Sequence, residues 1–120
     1  MKIISWNAIG LNSQAKHRLL KRKHQKYRLE IMFLQETKCC NSNMARITKK
    51  LGRHINFLEV ESKGREGGLA TLWDTRDIQI LSSEANKHFI AVEAQPTGNC
   101  ETFLCINVYG PQKIEDKLSF

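Results

Sequence analysis

Hydrophobic positions along this chain change texture near residue 52, alternating between strand-like and helix-like before it and strand-like after it. Residues 2–6 are a short β-branched stretch closed by Asn7-Ala8-Ile9-Gly10, which predicts a buried strand. Asn12 or Ser13 stands where a helix needs its cap, ahead of a segment running to about residue 29. Ala15, Leu19, Leu20 and Tyr27 form its apolar stripe, and Lys and Arg fill the other face. Ile31 to Gln35 is a continuous apolar run of strand length, so a strand covered on both faces is expected. Strand, helix, strand in this short span predicts a right-handed crossover unit or its antiparallel relative.

Asn41 or Ser42 caps a second predicted helix that ends near Leu51 against Gly52. Five short β-rich runs follow, at 55–60, 68–73, 78–82, 89–94 and 102–109, separated by Gly, Asp, Asn and Pro turns. The last two read as a hairpin joined through Pro96 to Asn99. Gly67-Gly68 is taken as a turn leading into a strand, since no phosphate-loop pattern or helix follows. Residues 113–120 have the pattern of a starting helix. The expected architecture is an α+β layer, a strand-rich sheet with helices on one side. Alternating apolar positions in the later strands predict a second sheet face that needs a cover of its own.

With 120 residues there is room for one domain, and 41% hydrophobic with 26% charged residues is ordinary globular composition. The charge changes the picture more: 19 Lys and Arg against 12 Asp and Glu give +7. That balance favours anionic partners, nucleic acid ahead of anionic membrane. Cys39, Cys40, Cys100 and Cys105 form no CxxC pair, and none of the four histidines lies in a zinc-like spacing with them. The cysteines are therefore read as reduced thiols. No apolar run approaches transmembrane length and the N-terminus lacks a signal-peptide pattern, so a nuclear or cytoplasmic chain is expected, neither secreted nor membrane-bound.

Candidate chemistry gathers at predicted strand ends. Glu36 follows Ile31-Met32-Phe33-Leu34-Gln35, at the sheet edge where α/β proteins hold ligands. One well-placed carboxylate is enough to anchor Mg²⁺, which otherwise keeps water and substrate oxygens. Asn7 ends the first strand similarly, and its amide can orient a bound water or donate to a phosphate oxygen. Tyr109 ends the last strand with a phenol that can reach phosphate, and Lys38 can neutralise charge near a metal. Each of these has a plainer reading, respectively a solvated turn Glu, a strand-ending Asn, a core aromatic and a surface Lys. The first helix carries Lys16, Arg18, Lys21, Arg22, Lys23, Lys26 and Arg28, either a phosphate-tracking face or simply its solvated side.

Four blocks stand in order along the chain: Ile3-Ile4-Ser5-Trp6-Asn7 with Gly10-Leu11; Phe33-Leu34-Gln35-Glu36-Thr37-Lys38; Gly67-Gly68-Leu69-Ala70 with Trp73; and Ile106-Asn107-Val108-Tyr109-Gly110-Pro111. In these the chain resembles the endonuclease/exonuclease/phosphatase superfamily. More narrowly it is similar to the endonuclease domain at the start of plant LINE-type (non-LTR) retrotransposon polyproteins. The resemblance implies half of a four-layer α/β/β/α sandwich, DNase I-like, with a mixed, largely antiparallel sheet and helices on one side. It also implies Mg²⁺-dependent hydrolysis of a phosphodiester in DNA. Glu36 then matches the metal-binding glutamate, Asn7 the asparagine beside it, and Tyr109 the tyrosine that contacts the phosphate. Ile9 and Gln112 depart from the polar residue and the Asn that relatives often carry there.

Relatives continue with a Gly-Asp-Phe-Asn block and a Ser-Asp-His block, and neither occurs in these 120 residues. The expectation is a truncated domain, residues 1–120, with little activity alone, because hydrolysis also needs an activated water and a leaving-group acid. His54 and His88 lie in no block that would make them the missing base. The competing expectation is a basic, non-enzymic nucleic-acid-binding remnant using Lys21, Arg22 and Lys23. A fragment with an uncovered sheet face would also tend to self-associate.

Overall fold

The apolar run Ile31–Gln35 becomes an inner strand of a four-stranded sheet in the computed structural model, which describes residues 1–63 and 67–109. In chain order the elements are β1 (Ile3–Asn7), α1 (Gln14–Tyr27), β2 (Ile31–Gln35), α2 (Asn41–Leu51), β3 (Ile55–Val60), β4 (Leu69–Asp74), β5 (Ile78–Ala85), β6 (Phe89–Pro96) and β7 (Phe103–Val108). The first sheet runs β1-β2-β4-β3 and the second β5-β6-β7. β1 and β2 are parallel across α1, with Asn7 in register with Gln35. β4 is antiparallel to both β2 and β3, placing Leu69 beside Gln35 and Trp73 beside Ile31. The expected β6–β7 hairpin forms, with Ala94 opposite Phe103. The expected helix at 113–120, and Gly110, Pro111 and Gln112, lie outside the described residues.

Both faces of the first sheet are covered. Met32, Leu34, Ala70 and Leu72 meet Leu20, Met44, Ile47 and Leu51 of the helices on one side. Ile31, Leu69 and Trp73 meet Ile78, Ile90, Val92, Ala94 and Cys105 of the second sheet on the other. This explains why β2 reads as an apolar run rather than an alternating one, and why β4 is buried at every position. Strands β3 and β4 extend the first sheet, but β5, β6 and β7 do not, as the sequence pattern suggested they would. They form a layer of their own, and the open apolar face moves outward to Leu81, Leu104, Ile106 and Val108.

α1 corrects a second expectation. Ser13 caps it, accepting from the Lys16 amide at 3.2 Å, as predicted. Its inward face, however, is His17, Leu20 and His24, while Leu19 and Tyr27 are each 40% exposed and Ala15 faces solvent. Residues 15 and 19 lie on the far side of a 3.6-residue helix from residue 17, so one face had to lose. His17 finds partners for its ring there, Nε2 bonding the Leu11 carbonyl at 2.5 Å, while His24 Nε2 is buried with no partner among the described residues. α2 follows the simple rule, burying Met44, Ile47, Thr48 and Leu51. No helix among the described residues is long and apolar enough to cross a membrane.

His24 sits at the pole away from Gln35, near Asp74, Arg76, Arg28 and Asp77. There Arg76 holds the fully buried Asp74 through Nη2 at 2.7 Å and Nε at 3.0 Å, and the guanidinium keeps that carboxyl below its ordinary range. Burial pushes the His24 pKa below 6.5, outweighing the opposing pull of Asp74. The unfolded chain therefore takes up this proton first as pH falls, so the His24 share of stability is complete above about pH 6.5 and lost below it. The thermal midpoint should drop between pH 7.5 and 5.5, and His24→Leu should flatten that slope. An unchanged slope in the variant would remove His24 from the account.

Candidate functional site

Three loops meet at the carboxyl edge of β1 and β2. The loop after β1 runs beside the loop after β2 through Ala8 N to Gln35 O at 2.9 Å, Gly10 N to Glu36 O at 2.7 Å and Leu11 N to Thr37 O at 2.8 Å. The turn before β4 closes the other side, its Gly68 and Gly67 carbonyls accepting from Thr37 N at 3.2 Å and Lys38 N at 3.0 Å. The backbone here is strained in one place after another. Ile9, Glu36 and Lys38 have φ of 49°, 50° and 53°, with Gly10, Gly67 and Gly68 also in the left-handed region. Non-glycine residues enter that region at a cost, β-branched ones least readily, and such strain collects where a site must hold an unusual shape. Lys16 helps hold it, its Nζ donating to the carbonyls of Ala8 at 2.6 Å and of Ile9 and Gly10 at 2.8 Å. This cation of the basic helix is a clamp on the loop.

The left-handed turn at Glu36 swings its carboxylate to the end of β7 in the other sheet. Tyr109 Oη donates to Glu36 Oε1 at 2.7 Å, joining residues 73 positions apart. Both side chains are half-buried. Asn7 is the exposed last residue of β1, in register with the residue before Glu36. Its Oδ1 accepts from the Ile9 amide at 3.2 Å, which orients the amide group. Lys38 lies half-buried along the same turn, and a methyl added to Gly10 would stand 3.6 Å from Lys38 Cδ. Positions 7, 36, 38 and 109 therefore share one mouth.

The other three expected contacts do not. Lys21, Arg22 and Lys23 are exposed on α1, whose first turn adjoins the mouth, and begin about 10 Å further along the helix at 1.5 Å per residue. Lys23 Nζ instead lies 5.8 Å from the centre of the Tyr27 ring.

Sequence reasoning missed the network beneath the mouth. Asn107, 1% exposed, donates through Nδ2 to the Ala70 carbonyl at 2.9 Å, Thr71 Oγ1 at 3.3 Å and the Leu34 carbonyl at 3.4 Å. Its Oδ1 accepts from Gln35 Nε2 at 2.8 Å, and Gln35 Nε2 also donates to Ser5 Oγ at 3.0 Å. Asn107 thus ties β7 of the second sheet to β2 and β4 of the first, two residues before Tyr109. The signal was present: Cys105, Asn107 and Tyr109 alternate inward on β7, and an Asn at a core position requires partners.

Among the described residues no group of three or more His, Cys, Asp or Glu side chains forms a shell for a metal. Glu36 offers a single carboxylate at the mouth. Burial pushes the Cys39 thiol, under the turn, up to about 11, which keeps it protonated.

No family model and no curated protein matches the sequence. Solved structures do match. The Xenopus laevis APE2 catalytic domain is similar at 20% identity and TM-score 0.68, over 98% of this chain and 49% of that one. D. rerio TDP2 complexed with single strand DNA product is similar at 18% identity and TM-score 0.66, over 96% of this chain and 48% of that one. An endonuclease/exonuclease/phosphatase family protein from Bacteroides thetaiotaomicron is similar at 12% identity and TM-score 0.67, over 87% of this chain and 46% of that one. The fold is the endonuclease/exonuclease/phosphatase fold. The chain spans about half the length of these structures, with two helices and two sheets of that partial DNase I-like architecture. Within the endonuclease/exonuclease/phosphatase fold, the mouth at Glu36 lies at the carboxyl edge of the parallel pair β1–β2, where open sheets hold ligands.

Proposed function

We propose that these residues supply the metal anchor and phosphate contacts of a Mg²⁺-dependent, DNA-cleaving phosphodiesterase site of the LINE-type endonuclease kind. On their own they turn over at background. One observation carries the reading: the 2.7 Å bond from Tyr109 to Glu36, made across two sheets at a strained mouth. The four sequence blocks support the LINE-type kinship, and a similar structure complexed with single strand DNA product supports DNA as the partner.

Mg²⁺ takes one or two carboxylates and keeps waters and substrate oxygens for the rest, so Glu36 fits as its anchor. Bound there, such an ion would offset charge that develops on the phosphate. The chain's own residues do the remaining work. Tyr109 fixes the Glu36 carboxylate through its one O–H, a donor that a phosphate oxygen receives only in exchange for Glu36. Asn7, oriented through Oδ1 by the Ile9 amide, donates through Nδ2. Lys38 contributes positive charge beside them. Proton transfer to the leaving oxygen is assigned to none of these four side chains.

Manganese as a paramagnetic stand-in tests the anchor. Amide signals of residues 7, 36–38 and 109 should broaden on adding Mn²⁺, and Glu36→Gln should abolish the effect. Supercoiled plasmid with Mg²⁺ should be nicked no faster by the 120-residue chain than by Glu36→Gln. Nicking well above that variant would overturn the assignment of background turnover; absent broadening would overturn the anchor.

A second reading, a basic surface that holds nucleic acid without cleaving it, is favoured by the exposure of Lys21, Arg22 and Lys23. The ion pairs among the described residues use Arg28 with Asp77 and Arg76 with Asp74, leaving Lys21 and Arg22 for solvent or phosphate, with Lys23 over the Tyr27 ring.

A further inference from the structure

A cleft of about 150 Å³ opens between α1 and α2, lined by Asn12, Gln14, His17, Asn43, Arg46, Ile47 and Lys50. No carboxylate lines it, and neither Arg46 nor Lys50 takes part in an ion pair among the described residues. Two formal positive charges thus stand one turn apart on α2, among neutral amides and an imidazole. Ordinary surface cations are mobile and solvated, but here the neutral groups hold one of them in place. His17 Nε2 bonds the Leu11 carbonyl, which can only accept, so Nε2 carries the proton. His17 Nδ1 is then an acceptor, and it receives Lys50 Nζ at 3.1 Å, while Gln14 Oε1 receives the same ammonium at 3.1 Å.

The donor count decides what such a cleft can take. Lys50 has three N–H groups and directs two of them to Gln14 and His17. Arg46 has five and directs one at Asn43 Oδ1, whose own Nδ2 goes to Asn12 Oδ1 at 3.3 Å. Because Gln14 presents its oxygen to Lys50, its Nε2 is left as a donor. Donors from a guanidinium, an ammonium and an amide converge with no acceptor of matching charge. Guanidinium and ammonium together are the usual pair for phosphate oxygens. The cleft has room for one oxyanion and a few waters.

We propose that the α1–α2 cleft binds a phosphate-bearing anion, held by Arg46, Lys50 and Gln14. The site is independent of the mouth, although Asn12 joins the two, its Nδ2 donating to the Lys38 carbonyl at 3.0 Å.

The test titrates the 120-residue chain with inorganic phosphate and follows amide shifts of residues 12–17 and 43–50. Saturable shifts are expected, weakened at least tenfold by Arg46→Gln/Lys50→Gln. Arg46→Gln alone, which leaves the His17–Lys50–Gln14 contacts in place, should weaken binding severalfold and guards against a folding artefact. A parallel arm uses an unphosphorylated single-stranded oligonucleotide. A loss of affinity there in the double variant identifies the anion as a backbone phosphodiester; an unchanged affinity identifies it as a free phosphate group. Glu36→Gln should leave phosphate binding untouched, so failure of the mouth and failure of the cleft are separable. The proposal is overturned if the shifts do not saturate, if the double variant binds phosphate as well as the parent, or if Lys21→Ala/Arg22→Ala/Lys23→Ala weakens it equally.

Discussion

Asn107→Leu should lower stability by about 3 kcal/mol, because buried partners left unsatisfied cost roughly 1–3 kcal/mol each. Leucine keeps the number and branching of side-chain heavy atoms, so the loss would report polar groups rather than a cavity. The carbonyls of Ala70 and Leu34 and the hydroxyl of Thr71 would each lose a donor, and Gln35 would keep only Ser5. Against a total of about 5–15 kcal/mol for a domain, that loss is large. It corresponds to a fall in thermal midpoint of about 10–15 °C for a chain of this size. Thermal melts followed by circular dichroism would measure it. A cost under about 1 kcal/mol would mean that water replaces the amide at no great penalty, and the inter-sheet tie would not be what fixes Tyr109 over Glu36.

That network shows where the sequence is readable and where it is not. β2 is legible because a strand covered on both sides must be apolar at every position, and Ile31–Leu34 leaves no other reading of that length. Glu36 and Tyr109 are legible as strand-end residues in recurring blocks, but their 2.7 Å bond is not. It requires the later strands to form a separate sheet, and a period of two is satisfied equally by either arrangement. Which strands pair is decided by long-range packing of Ile78, Ile90, Val92 and Cys105 on Ile31, Leu69 and Trp73.

α1 failed differently. Its polarity was read correctly, but the face was not, since His17 and His24 look polar in a sequence and become inward residues when a carbonyl or an enclosed site receives them. The same limit hid Lys16, one of seven similar cations until the Ala8, Ile9 and Gly10 carbonyls are seen to converge on it. Left-handed Ile9, Glu36 and Lys38 have no composition signal at all, because side chains that disfavour such φ values give no local hint of adopting them.

Gly68 is the hinge on which that strained turn rests. Its φ is +96°, and a methyl group there would collide with Thr37 Oγ1 and stand 3.1 Å from the Lys38 amide nitrogen. Gly68→Ala is therefore expected to cost about 2–4 kcal/mol, roughly 1–2 from the backbone region and the remainder from the collision. The backbone cannot simply retreat, because the Gly67 and Gly68 carbonyls hold Lys38 and Thr37 in their turn. Thr37 Oγ1 is buried with no hydrogen-bond partner among the described residues, so removing it should be cheap. Thr37→Ala should consequently rescue Gly68→Ala by more than about 1 kcal/mol in a double-mutant cycle, leaving the backbone share. Denaturant melts of the four proteins measure this, and Mn²⁺ broadening at residue 36 should weaken in Gly68→Ala and return in the double variant. Additive losses with no rescue would show that the close approach of Gly68 to Thr37 does not shape the mouth.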